Sequence, residues 1–379
     1  MATEARPDGP RLRVTYRLGC SDLSEAKKIA RDIALEQTVE LPEGTFDARI
    51  EHEIVGRVED VEVLPPSACR AVVSFELDTI GDEIPQLLSL LFGNISLKRS
   101  IRIDDIEWPD RLLRCFGGPT HGIEGLRALC GVDERRPLLC SALKPMGLST
   151  RDLARRCHDL ALGGIDLIKD DHGLADQSSA PFAERVRQCQ EAVSLARARG
   201  GVRGLYFPNV TGRISELEQR VELAVDAGCK GVLISPLVVG PDSVRWITER
   251  FGVAVLAHPA LSGAYFHPDH GLRPEILLGE IFRIAGSDGV IYPNCGGRFP
   301  LTEKTCRAIN DRLRRPLGTL RPSFPVPAGG IDVDRVPHWV RQYGPETIFL
   351  IGGSLYARGD LVGASAELLQ AVRRAAVVP

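Results

Sequence analysis

The stretch Gly163–Gly164–Ile165–Asp166–Leu167–Ile168–Lys169–Asp170–Asp171–His172 decides the fold. It opens on a glycine pair and runs through apolar residues into one lysine, two carboxylates and a histidine. Alternate side chains of a strand share a face, so Ile165, Leu167, Lys169 and Asp171 point one way. If that way is the inside of a barrel, an amine and a carboxylate converge at the C-terminal end of the strand, where barrel enzymes carry their catalytic groups. A buried lysine–aspartate ion pair is the plainer reading, and on this stretch alone both stand.

Outward from here, the chain repeats one theme from Pro137 on: a short apolar strand, then an amphipathic helix. Strands are predicted over 138–143, 165–169, 204–207, 231–235, 254–257, 289–292, 324–328 and 347–351. Helical patterns follow over 151–162, 182–199, 214–227, 242–251, 273–285, 302–313, 333–343 and 361–375. Eight such units over roughly 240 residues predict a (β/α)8 barrel of the α/β class; a doubly wound sheet of that many units would be long.

Before the turn Phe116–Gly117–Gly118–Pro119–Thr120–His121–Gly122 the pattern differs. Strands are predicted over 11–18, 51–63 and 71–77, and helices over 24–34, capped by Ser24, and 84–91. Without strict alternation this predicts a smaller α+β, ferredoxin-like domain. The expected division is 1–120 for that domain and 121–379 for the barrel carrying the site.

Composition sets outer bounds. The 379 residues are 44% hydrophobic and 26% charged, ordinary for a globular protein. A net charge of −3 gives no basic footprint, so no nucleic-acid partner is expected. Met1–Pro10 is polar without an apolar signal core, and no apolar run is long enough to span a bilayer. The 10 cysteines lack CxxC or zinc spacing and read as reduced thiols of a cytoplasmic protein.

Candidate chemistry collects after the predicted strands. Lys144 and Pro145 follow the first; Lys169, Asp171 and His172 end the second; Asn209 and Thr211 follow the third; His258 ends the fifth. Asn294, Gly296, Gly297 and Arg298 follow the sixth, Gly329–Gly330 the seventh, and Gly352–Gly353 with Ser354 the eighth. Glycine pairs after the last two strands suit phosphate, because glycine lets backbone amides approach an anion; they also serve tight turns. Lys144 suits a substrate anion or proton transfer if desolvation beside another cation lowers its pKa. His258 suits donation to a substrate oxygen. Arg298 is either a substrate contact or a surface pair, and His121 either a site group or a turn residue. A neutral Lys169 amine beside carboxylates takes up CO2, and the resulting carbamate binds a hard cation through oxygen.

Taken together, Phe116–Ile123, Leu143–Lys144–Pro145, Gly164–Asp171 and the two late Gly–Gly turns resemble the large subunit of ribulose-bisphosphate carboxylase, in order and over almost the whole chain. The resemblance implies a metal site of carbamylated lysine, aspartate and glutamate. Lys169 and Asp171 match; His172 stands at the glutamate position. Magnesium prefers oxygen ligands, so a nitrogen donor leaves manganese or zinc open. The family's Lys-Pro-Lys reads Lys144–Pro145–Met146, and its His–Arg pair reads His258–Pro259. Its loop lysine is absent from Gly296–Gly297–Arg298–Phe299, and a serine is replaced by Ala328. These departures argue against CO2 fixation on a bisphosphate and liken the chain to the carboxylase-like, form IV proteins.

By the same resemblance, Glu36 of Glu36–Gln37–Thr38 and Asn94 of Phe92–Gly93–Asn94 reach the barrel mouth of a second subunit, implying a homodimer with shared sites. Asn94 stands where the methionine-salvage enolases carry a lysine. The family's reactions share an enediolate, and the lost phosphate grip fits a substrate with one phosphate. The expected activity is decarboxylation of a phosphorylated keto sugar acid of the 3-oxo-isoapionate 4-phosphate type. Lys144, Lys169, Glu36 and Asn94 are the expected catalytic residues, and Lys169, Asp171 and His172 the ligands of one Mg2+ or other divalent ion. His258, Arg298, Gly329, Gly330, Gly352 and Gly353 are expected to hold the substrate. The alternatives are an enolase or isomerase of a keto-sugar phosphate and a non-catalytic binding protein for phosphate compounds.

Overall fold

The computed structural model describes residues 9–199, 203–299 and 301–377. Most of the polar N-terminal stretch read above, residues 1–8, lies outside them. The chain forms two compact units. One runs to Gly117 and also takes in Leu261–Leu277 and Leu317–Leu320; the other holds Gly118–Ala260, Leu278–Pro316 and the chain from Arg321 on. The single cut expected between 120 and 121 therefore misses two later segments that join the first unit.

The first unit is built on a six-stranded mixed sheet in the order β10-β11-β4-β1-β3-β2. Its strands are β1 (Arg11–Leu18), β2 (Arg57–Leu64), β3 (Ala68–Glu76), β4 (Ile101–Glu107), β10 (Phe266–His267) and β11 (His270–Leu272). In β1, Leu12, Val14, Tyr16 and Leu18 are fully buried while the residues between them are not, the period-two pattern of a one-sided sheet. Three expectations change. The first helix is Leu23–Glu36, and Asp22 rather than Ser24 caps it, its carboxylate accepting from Glu25 N. The stretch 51–63 begins as the end of a helix, Ala48–Glu53, and becomes strand only at Arg57. β4 and the β10–β11 hairpin were not anticipated, because parallel pairing of β11 with β4 joins segments far apart in sequence.

The second unit is an eight-stranded parallel sheet in the order β7-β6-β5-β14-β13-β12-β9-β8. The strands are β5 (Leu138–Leu143), β6 (Leu167–Asp170), β7 (Leu205–Phe207), β8 (Gly231–Ile234), β9 (Ala254–Ala257), β12 (Gly289–Pro293), β13 (Phe324–Ala328) and β14 (Ile348–Ile351). Beyond β7, Val210 N donates to Leu233 O at 2.9 Å and Leu233 N to Pro208 O at 2.8 Å, which closes the ring. The barrel interior is filled by Leu138, Cys140, Leu167, Phe207, Leu233, Leu256, Val326 and Leu350 among others. Gly231 makes room there: a Cβ on it would lie 2.0 Å from the Phe207 ring. The expected helix over 273–285 is interrupted by a π-helical segment, Leu277–Ile281. The 10 cysteines are all free, eight of them buried, and no helix among the described residues is long and apolar enough to cross a membrane.

A buried ion pair fixes where β5 and β6 begin. Asp166 accepts two bonds from Arg136, at 2.8 and 2.9 Å, and a third from Leu139 N at 2.8 Å. Removing one partner of such a pair strands the other's charge. Asp166→Ala is expected to lower the unfolding free energy by about 3–5 kcal/mol in a urea titration. The double variant with Arg136→Met is expected to recover part of that loss.

Candidate active site

The C-terminal ends of the barrel strands surround a cavity of about 680 Å³. Lys144, Lys169, Asp171, His172 and His258 line one part of it; Gly296–Phe299, Gly329–Asp332 and Gly352–Ser354 line another, over apolar residues of the strands. The alternation read from the sequence explains the first group. Leu167 packs in the barrel core, and Lys169 and Asp171 continue the same face upward into the cavity.

Lys169 is only 2% exposed, and its Nζ donates to Asp170 O at 3.0 Å. Burial pushes its amine pKa down, and the nearby Lys144 charge adds to this against the opposing pull of Cys140 and Asp171. Asp171 Oδ1 lies 3.1 Å from Lys144 Nζ and 3.4 Å from His172 Nδ1. Burial raises that carboxyl, but its bond to His172 and the charges of Lys169 and Lys144 outweigh it and hold the group below the usual carboxylate range. The His258 ring stacks on that of His172, centroids 4.2 Å apart. Burial first, then the charge of Lys169, lowers the His258 imidazole from 6.5 to about 2. Its Nδ1 accepts from Ala260 N at 3.2 Å, so the ring proton sits on Nε2 and His258 is a neutral donor.

The residue between the two inward groups faces the other way. Asp170 is fully buried and accepts from Arg185 Nε at 3.1 Å, Tyr206 Oη at 2.8 Å and Asn209 N at 3.0 Å. Asn209 in turn donates to His172 O and Leu174 O, each at 3.0 Å. This network locks the end of β6 from behind. Sequence reasoning missed its members Arg185 and Tyr206, since a buried arginine in a helix reads like a surface one. Lys144 is held by its backbone: Arg156 donates to Lys144 O at 2.5 Å.

The glycine turns after β13 and β14 border the same cavity. Gly329 and Gly330 have φ of +91° and +67°, which side chains disfavour. The amides of Gly330 and Ile331 donate to no backbone acceptor among the described residues. Arg298 and Phe299 are exposed cavity residues on the loop after β12. Asp332 and Ile331, which sequence reasoning did not single out, also line it.

Other candidates fall elsewhere. His121 donates its amide to Asp288 Oδ1 at 2.7 Å and places its ring 2.9 Å from Gly252 O; it is a turn residue and does not line the cavity. Glu36 and Asn94 belong to the first unit, where Asn94 Nδ2 donates to Glu36 Oε1 at 3.0 Å. Thr211 accepts from Ser235 N at 2.9 Å.

As a cation site, the residues are one ligand short while Lys169 is an amine. Among the described residues no three His, Cys, Asp or Glu side chains are grouped to hold an ion. A carbamate on Lys169 would supply an anionic oxygen beside Asp171 and His172, and burial shifts the amine toward the neutral form that takes up CO2. With that modification the donor set would suit a divalent cation.

The ribulose bisphosphate carboxylase large chain catalytic-domain model matches residues 122–377. The ribulose bisphosphate carboxylase-like protein 1 of Rhodopseudomonas palustris is 42% identical over 92% of this chain and 94% of its own. The 5-methylthioribulose-1-phosphate isomerase of Rhodospirillum rubrum is 41% identical over 97% of each. A crystal structure of a Rubisco-like protein from Rhodopseudomonas palustris superposes with a TM-score of 0.87 at 39% identity, covering 97% of this chain and 98% of that one. With the barrel, Lys169 and Asp171 on its inward face and its paired glycine turns, the chain belongs to the ribulose-bisphosphate carboxylase large-chain family, among the carboxylase-like proteins of form IV.

Proposed function

We propose that the protein moves a proton on a keto-sugar phosphate by way of an enediolate, as an isomerase. One observation carries this reading: a buried amine, the carboxylate and imidazoles above it and two glycine turns border a single cavity of about 680 Å³, large enough for a phosphorylated pentose derivative. The similarity to a 5-methylthioribulose-1-phosphate isomerase over 97% of the chain favours isomerisation over the decarboxylation first expected. Asn94, in place of the lysine expected for the methionine-salvage enolases, favours isomerisation over that enolisation.

In this reading the phosphate rests on the Gly329–Gly330 and Gly352–Gly353 turns, with Arg298 adding charge. Lys169 as carbamate, Asp171 and His172 hold a divalent cation, magnesium first. When bound, the cation lowers the cost of negative charge on adjacent substrate oxygens. Lys144 donates to the oxygen where charge develops and is placed to return a proton. His258, neutral and with its proton on Nε2, donates to a second oxygen. Asp171 keeps Lys144 aimed into the cavity through their 3.1 Å pair.

Three measurements test this reading. In deuterium oxide, 5-methylthioribulose 1-phosphate is expected to exchange a carbon-bound proton and isomerise without losing CO2. Lys169→Ala should lower that rate by about 10³-fold or more. Release of CO2 from keto sugar acid phosphates, with no exchange, would replace this reading with decarboxylation. Second, protein equilibrated with 13C-bicarbonate is expected to show a carbamate carbon resonance that Lys169→Ala lacks; its absence would remove the cation site as drawn. Third, the reading places Glu36 and Asn94 in the site of a second copy of the chain. Mixing inactive Glu36→Ala with inactive Lys169→Ala protein is then expected to restore activity in about a quarter of sites, and no recovery would refute sharing.

A further inference from the structure

We infer that Asn294 is a positioning residue for the phosphate cradle: it locks the Gly329–Gly330 peptide so that an amide, not a carbonyl, faces the bound anion. The inference rests on the reading of that turn as the phosphate site.

Asn294 follows β12 directly and is fully buried. Its Nδ2 donates to Gly329 O at 3.2 Å, and its Oδ1 accepts from the Tyr343 hydroxyl at 2.5 Å. The carbonyl of Gly329 can only accept, so it fixes which end of the side-chain amide is nitrogen, and Tyr343 must then be the donor to the other end. The backbone of Asn294 is engaged as well. Its N–H donates to Ala328 O at 3.0 Å, and its carbonyl accepts from Gly297 N at 3.1 Å. One residue thus ties the end of β13, the loop after β12 and the glycine turn together.

The consequence lies in the peptide plane. In a trans peptide the C=O and the next N–H point in opposite directions. Holding Gly329 O toward Asn294 therefore sends the Gly330 N–H the other way. Both glycines line the cavity, and the Gly330 N–H donates to no backbone acceptor among the described residues, which leaves it for a ligand there. Between two glycines, both at positive φ, a peptide flip meets little steric resistance. A flipped plane would turn a carbonyl dipole on the phosphate. The Asn294 bond opposes that flip, and Tyr343 keeps Asn294 itself from turning over.

The test is phosphate binding by calorimetry, together with steady-state kinetics, on the full chain and three variants. Wild type is expected to bind inorganic phosphate, and Gly330→Ala to lose it, since a Cβ there would lie 2.9 Å from Gly296 O. Asn294→Ala is expected to weaken phosphate about tenfold and to raise KM for the phosphorylated substrate by a similar factor, with kcat changed far less. Tyr343→Phe, which keeps shape and charge, is expected to give a smaller shift in the same direction and carries the test if Asn294→Ala does not fold. Wild-type phosphate affinity in a folded Asn294→Ala or, failing that, in Tyr343→Phe overturns the inference while leaving the phosphate site in place. Equal loss of kcat with unchanged KM also overturns it. No phosphate binding by wild type, and no effect of Gly330→Ala, would instead remove the underlying reading of the turn.

Discussion

The burial of one amine governs this structure. Lys169, next to last in β6, has almost no exposure and surroundings that disfavour its charged form. Its Nζ donates to the Asp170 carbonyl, and Asp171, on the same face by alternation, exerts a coulombic pull on it. Asp171, one pleat further on the same face, meets Lys144 and His172 above it. Asp170, between them, points away from the cavity and is satisfied by Arg185, Tyr206 and Asn209. A one-residue slip of β6 would exchange these two environments, putting Asp170 in the cavity and Lys169 among the helices. The register is therefore fixed by electrostatics as much as by the apolar residues below.

The two parts of the cavity use different chemistry. Around β5, β6 and β9, ionisable side chains converge, and their mutual fields set their states: a suppressed amine pKa, a carboxylate held ionised, a neutral imidazole. Around β12, β13 and β14 the cavity wall is largely backbone, in turns that need glycine, and the proposed reading gives it the recognition of phosphate. Side-chain charge responds to its neighbours, whereas a backbone cradle is rigid once its peptide planes are locked. A substrate with a reacting carbonyl region and one phosphate matches this division.

Family membership leaves the chemistry open, because one barrel supports many reactions through its loops. Most residues that differ from the carboxylase pattern sit on those loops, Met146, His172, Pro259 and Arg298, with Ala328 at the end of β13. The scaffold beneath them is kept. This is why the resemblance was sound on fold and weaker on activity, and why the isomerase-named relative carries more weight for the reaction than the retained Lys169–Asp171 pair does.

Much of the fold was legible because parallel barrel strands are short apolar runs between amphipathic helices, and local pattern suffices to find them. The strands over 138–143, 254–257 and 324–328 fall where pattern placed them. That Lys169, Asp171, His258 and the glycine pairs share one cavity was legible for a related reason: strand ends are local, and barrel topology sends them all to one rim. What failed was non-local. The β10–β11 hairpin joins a sheet whose nearest strand lies more than a hundred residues earlier, the Asp22 cap depends on where the helix starts, and Arg185 is buried only because Asp170 waits beneath it. The sequence alone determined the order of elements and which side chains share a face, since those follow from backbone periodicity. Only the tertiary structure decided which buried groups meet, and hence their charge states and the orientation of the Gly329–Gly330 peptide, because those depend on distances between residues that no local pattern encodes.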